Sequence, residues 1–228
     1  MEKFGKWLDN FWYYHKHQVL IGAFFVIFFT ICIFQFVGNE SVDAYLMVAG
    51  PKAIGGEEIE KMQSALSQIM PDDYTGDGKK NARVVSICLM TDRQIAEAAA
   101  EAKKQGIDDF YIDMQYMSDA RQQFDLQFLA GDCYLCLLDP ALYAEMKTQG
   151  AFEKIEDPRS EDGFGLLFWN TDFASFFSET FEKIPPDTVF CLRKVPATSL
   201  GKRKEKEKQA FHAALFDAIL AFETSETD

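Results

Sequence analysis

The sequence predicts an α/β domain carried behind one membrane-spanning helix, and three observations predict it. Residues 19–37 (VLIGAFFVIFFTICIFQFV) form an apolar run of 19 residues without a charge. After residue 40, short apolar runs alternate with stretches of helical periodicity. Their order, β-α-β-α-α-β-α-β-α-β-α, is that of a single three-layer α/β domain with a mostly parallel sheet and helices on both faces.

At about 1.5 Å rise per residue the apolar run spans roughly 28 Å, close to a hydrocarbon core of about 30 Å. A helix satisfies its own amides in lipid, which an open strand does not. The run is longer than a signal-peptide core of about 7–15 residues, and Gly38, Asn39 and Glu40 follow it without a small-x-small cleavage site. Ile31 before Cys32 excludes a lipoprotein box. The expectation is an uncleaved signal anchor over 17–38, behind a leader at 1–16 and ahead of a domain at 39–228. Lys3, Lys6 and Lys16 precede the span, whereas in the following twenty residues only Lys52 is basic. Lys and Arg favour the cytoplasmic side, which places the N-terminus inside and the domain outside the cell membrane. Trp7, Phe11, Trp12, Tyr13 and Tyr14 suit an interfacial belt, and the leader's amphipathic character would also let it lie flat on the inner leaflet.

Residues 41–228 hold 20 Lys plus Arg against 33 Asp plus Glu, so they carry the whole net charge of −13. Their length suffices for one ordinary core. Their acidity repels phosphates and argues against nucleic acid as a partner.

The elements follow in order. Residues 42–49 read as a strand ended by Gly50-Pro51. In 57–70, Ile59, Met62, Leu66, Ile69 and Met70 share a helical face that Pro71 ends. Gly76-Asp77-Gly78 marks a turn, and 83–90 is a buried-type strand. Thr91 or Asp92 caps a helix whose alanines suit close packing on a sheet, stopped by Gly106. Residues 108–117 read as extended or connecting. Ser118 then caps a helix with Phe124, Phe128 and Leu129 inward, closed by Gly131. Residues 132–138 are a strand. Asp139 is an N-cap with Pro140 as first helical residue, and that helix ends at Gly150. Residues 163–169 and 187–195 are two further strands around the aromatic helix FASFFSETF. The last helix, 202–222, opens on the charged run KRKEKEK and lines up Phe211, Leu215, Ala218, Ile219 and Phe222.

Cys88, Cys133, Cys136 and Cys191 all lie in strand-like runs. A redox CxxC opens a helix, whereas residues three apart in a strand point to opposite faces. Buried free thiols are therefore expected, with one bridge between neighbouring strands as the alternative.

The stretch QQFDLQFLAGDCYLCLLDPALYAEMKTQGAFEKIED resembles a segment of extracytoplasmic solute-binding proteins of the type 2 periplasmic-binding fold, and GFGLLFW and TVFCLRKVP fit the same plan. With its KFGKW…NFWYYHKH leader and single span, the chain also resembles uncharacterised membrane proteins of Firmicutes. The resemblance implies one lobe of a binding fold. The remaining 188 residues make only one lobe, so the clamp that two lobes form has no counterpart.

In open α/β sheets, ligands sit outside the carboxyl ends of the strands. The loops expected there carry Gly50, Gly55 and Gly56, then Thr91 and Asp92, then Asp139. Backbone N–H groups at the following helix starts suit an anion; the alternative is plain capped turns. Trp169, with Phe173, Phe176, Phe177 and Phe181, offers a stacking or docking surface, or else core. The glycine loop lacks GK[ST], and no GxSxG, SxxK or HExxH occurs. His212, the one histidine after the span, reads as structural. The pairs Asp72-Asp73 and Asp108-Asp109 lack metal-loop spacing. No catalytic residue, metal or cofactor is assigned. The expected function is a non-catalytic interaction domain for a partner envelope protein or a small solute; the alternative is an assembly scaffold without a ligand.

Overall fold

The structure, a computed structural model, describes residues 2–37, 41–107, 110–130, 132–195 and 202–223. The expectations at Gly38, Asn39, Glu40, Asp108-Asp109 and Gly131 lie outside these residues. The chain divides into two units, Met1–Ser41 and Val42–Asp228.

The first unit is one helix, α1 (Glu2–Val37). Its segment Trp12–Cys32 is long and apolar enough to cross a membrane. The leader and the apolar run form one unbroken helix of 36 residues, with no turn between a flat leader and a span. At 1.5 Å per residue α1 is about 54 Å long, well beyond a hydrocarbon core.

The second unit contains β1 (Ala44–Gly50), α2 (Gly56–Ile69), β2 (Ala82–Cys88), α3 (Asp92–Lys104), α4 (Met114–Ala130), β3 (Leu135–Leu138) and α5 (Pro140–Thr148). After these come β4 (Gly165–Leu167), a 3-10 turn (Phe168–Asn170), α6 (Asp172–Phe176), β5 (Val189–Leu192) and α7 (Lys202–Leu220). The sheet order is β2-β1-β3-β5-β4. β1 pairs in parallel with β2 and β3, while β5 pairs antiparallel with β3 and β4. The sheet is therefore mixed rather than mostly parallel. Four strands share a direction, and β5, reached through the 3-10 turn and α6, returns against them between β3 and β4.

Period-two alternation splits the interior into two cores. Leu46 and Val48, Leu135 and Leu137, and Phe190 and Leu192 face one side, where Met62, Leu66, Phe173, Leu215 and Phe216 cover them. Met47 and Ala49, Cys136 and Leu138, and Cys191 face the other, under Phe124, Phe128, Leu142 and Met146. A sheet buried on both faces needs apolar residues at consecutive positions, which explains runs such as LCLL.

Four local expectations are corrected. α4 begins at Met114, not Ser118, because Asp113 supplies the cap: its Oδ1 accepts from Tyr116 N at 3.0 Å. Leu129 is 72% exposed, since Ala120, Phe124 and Phe128 already fill the inward stripe. The alanines of α3 do not pack closely; Ala102 alone is buried on that helix. Cys133 precedes β3, so strand alternation does not reach it, and it shares one core with Cys136 and Cys191. All three are buried free thiols, Cys136 and Cys191 stand opposite each other across β3 and β5, and burial pushes the Cys133 thiol up to about 12.

Buried polar groups hold the sheet's lower edge. β1 begins before β3 can pair with it, and there Tyr45 N donates to His212 Nε2 at 3.0 Å. His212 Nδ1–H in turn donates to Lys208 O at 2.8 Å, so the ring is neutral and fully used. Burial drives its pKa down to about 4; Lys208 O and Asp132 oppose this, and Lys208 and Arg193 add to it. Arg193, 2% exposed, donates to Cys133 O at 3.0 Å and to Phe128 O, with its guanidinium 4.5 Å from the Tyr134 ring. Tyr134 Oη–H donates to Glu205.

Two outcomes follow for stability. The neutral His212 ring contributes stability that is complete above the unfolded pKa of 6.5 and is lost as pH falls towards about 4, roughly 3 kcal/mol in all. Urea unfolding between pH 7.5 and 4 is expected to show this loss, and His212→Gln to remove most of that slope. At Gly165 an added Cβ would meet Val189 Cγ1 at 2.6 Å and Tyr143 Cε2 at 2.9 Å. Gly165→Ala is expected to cost about 1–3 kcal/mol, read as a lowered Tm.

Candidate functional site

The carboxyl ends of β1, β2, β3 and β4 lie on one edge, to which the loop before β5 returns. Three of the expected loops meet there. Leu89 N donates to Gly50 O and Asp139 N to Ala49 O, each at 2.8 Å. A Cβ at Gly50 would lie 3.3 Å from Asp139 Cβ, a close approach of two strand ends. Thr91 and Gln94 form a reciprocal capping box on α3, and Gln94 Nε2 reaches Asp139 Oδ1 at 3.0 Å. The same oxygen caps α5 by accepting from Ala141 N at 2.9 Å. Thr91 and Asp139 are thus joined through Gln94, and Gly50 is brought beside Asp139 by close approach of the strand ends.

The other expected residues have different places. Gly55 is the N-cap of α2 and Gly56 its first residue, both exposed. The Glu58 carboxylate folds back over Gly55, where a Cβ would meet Oε2 at 2.5 Å. With Glu57 and Glu58 in its first turn, this helix start already has negative charge at its dipole and disfavours an anion. Asp92 is exposed at the start of α3 and lines a neighbouring groove. Trp169 is half-buried, and its Nε1–H is shared between Ile184 O and Pro185 O at 3.2 Å each. It braces the loop before β5. Phe173 and Phe181 are core and Phe177 is half-buried, while Phe176 is exposed, packed against Phe222 and Phe177.

The crevice at this edge is lined by Gly50, Pro51, Lys52, Asp139, Lys183 and Pro185 and holds about 20 Å³. That is room for about one water. Two larger open grooves flank α4. One, of about 650 Å³, lies among Met90, Asp92, Met114, Met117 and Arg121; the other, of about 620 Å³, lies among Arg121, Leu129, Gln149 and Lys194. Arg121 separates them. Its Nε donates to both oxygens of Asp125 at 3.0 and 3.2 Å, and its Nη1 and Nη2 fork onto Glu145. Glu145 raises the guanidinium further, and Arg121 lowers the Glu145 carboxyl.

Comparison with family models, curated proteins and solved structures finds no match to this chain. The chemistry therefore has to be read from the groups themselves. Among the described residues, no group of three or more His, Cys, Asp or Glu is placed to hold a metal ion. His212 is enclosed and uses both ring nitrogens. The grooves beside α4 escaped the sequence reading because their residues come from α3, α4, α5 and the end of β5. The usable signal was the spacing Met114, Met117, Arg121, Asp125, Leu129, one stripe on a helix.

Asp139 gives the test of the edge. Asp139→Ala is expected to cost about 0.5–2 kcal/mol through the lost α5 cap, with Asp139→Asn retaining most of it, as measured by thermal unfolding.

Proposed function

We propose that the chain is a single-pass protein of a bacterial cell membrane, N-terminus cytoplasmic, whose extracytoplasmic domain docks another envelope protein and does no catalysis. One observation carries the docking reading: the crevice where a solute would sit holds about 20 Å³, while the open grooves beside α4 hold about 650 and 620 Å³. Small-molecule pockets run to roughly 300–1,000 Å³ and enclose most of their ligand, which the crevice has no room for.

The resemblance to one lobe of a solute-binding protein is supported by the way β5 returns antiparallel between β3 and β4. The single Lys52 in the twenty residues after the apolar run, against Lys3, Lys6 and Lys16 before it, supports the orientation. The scaffold reading has its own support, because the edge residues Thr91 and Asp139 are engaged in capping.

The test has two parts. Proteases added to intact cells are expected to remove residues beyond 41 and leave the anchor with the membrane; recovery of intact protein without detergent in the soluble fraction would overturn the placement. Crosslinking in native membranes is expected to give adducts with a second protein; monomer alone would overturn docking.

A further inference from the structure

Resting on the extracytoplasmic placement, we infer that Cys136 and Cys191 become joined by a disulfide across β3 and β5 as the exported domain folds. The two residues are register partners on adjacent antiparallel strands. Both side chains are fully buried in the same core, on the α4 side of the sheet. The Cys191 Sγ lies 3.7 Å from Cys136 O, and the two thiols are themselves within hydrogen-bonding reach.

The backbone spacing admits the bridge. Arg193 N donates to Tyr134 O, two residues along the same ladder, and antiparallel pairs alternate, so Cys136 and Cys191 form a hydrogen-bonded pair. The Cα atoms of such a pair stand about 5.5 Å apart, inside the range of about 4.4–6.8 Å that a disulfide spans. Side chains of this pair type stand farther apart than those of the alternate type, so the bridge draws the strands together.

The remaining thiols of this unit are turned elsewhere. The Cys133 thiol donates to Gln127 Oε1 on α4 at 3.6 Å. Cys88 lies on β2, with β1 between it and β3, and its thiol donates to Pro51 O.

Outside the cell membrane disulfides persist. The oxidant required is a disulfide-bearing exchange partner. The Cys136 thiolate attacks one of its sulfurs, and the other leaves as a thiolate. When β5 returns beside β3, the Cys191 thiolate attacks Cys136 Sγ and expels the second thiolate. One protein disulfide and two oxidant thiols result, and the oxidant takes up both electrons and both protons. The exchange belongs to folding, because burial afterwards holds the Cys191 thiol well above its usual range and closes off access.

The test refolds the purified full chain from urea into detergent with reduced and oxidised glutathione, then alkylates it in denaturant and maps the peptides. Two of the five cysteines are expected to react only after reduction, in peptides joined through Cys136 and Cys191. Cys133→Ser is expected to keep the bridge, and Cys136→Ser or Cys191→Ser to abolish it. Dithiothreitol is expected to lower the Tm of the bridged wild type by at least about 5 °C and to leave that of Cys191→Ser unchanged. Alkylation of all five cysteines before reduction, or a bridge through Cys133 or Cys88, would overturn the assignment. Alkylation of acid-quenched cells separates this inference from the placement. Thiols still free in cells whose added proteases remove the domain sink the bridge and leave the placement standing. A bridge that forms on the purified chain, in cells where neither protease nor oxidant reaches the domain, sinks the placement.

Discussion

One buried guanidinium fixes how the last strand joins the sheet. Arg193 sits at the end of β5, almost fully enclosed, where an ion left without partners costs several kcal/mol. It is wrapped by the Phe128 carbonyl near the end of α4, by the Cys133 carbonyl ahead of β3, and by the Tyr134 ring. A helix C-terminus is a favourable place for a cation, so the α4 dipole adds to the fit. Its backbone N–H also pairs with Tyr134 O at 2.8 Å. A slip of one residue would turn the charge to the other face and separate it from all these partners. The antiparallel return of β5 between β3 and β4 is thus specified by electrostatics as well as by its apolar face.

The same corner shows how an acidic, solvated unit closes its lower edge. β1 starts before its neighbour β3, which leaves the Tyr45 amide in need of an acceptor. α7 supplies it from His212, and Tyr134 and Glu205 tie the helix to the strand below. These bonds require a neutral imidazole. The edge is therefore sensitive to acid, and the histidine serves as a strand partner with both ring nitrogens engaged.

At the opposite edge, the polar side chains that could greet a ligand are turned to each other. Asp139 receives Ala141 N and Gln94, and Thr91 and Gln94 cap α3 reciprocally. Capping and ligand binding compete for the same few acceptors, and capping has taken them. The open apolar surface is displaced to the α4 side, where α3 is held by one buried alanine and the grooves stay unfilled. The edge keeps a crevice of about 20 Å³, and the larger open grooves lie beside α4.

The sequence by itself determined the elements. Hydrophobic period and turn chemistry are local, so all five strands, the aromatic helix after Trp169, the caps Thr91 and Asp139, and an apolar helix of membrane length were legible from residues 19–37 onward. It also indicated which edge gathers Gly50, Thr91 and Asp139. Local signals failed where two solutions were close: Asp113 and Ser118 are both good caps, and Leu129 follows Phe128 on the same apolar run. Tertiary structure alone decided the direction of β5, the single core shared by Cys133, Cys136 and Cys191, the burial of Arg193 and the grooves that Arg121 separates. Each depends on contacts between segments far apart in the chain. No local periodicity encodes those contacts, because their free energy exists only after the layers have packed.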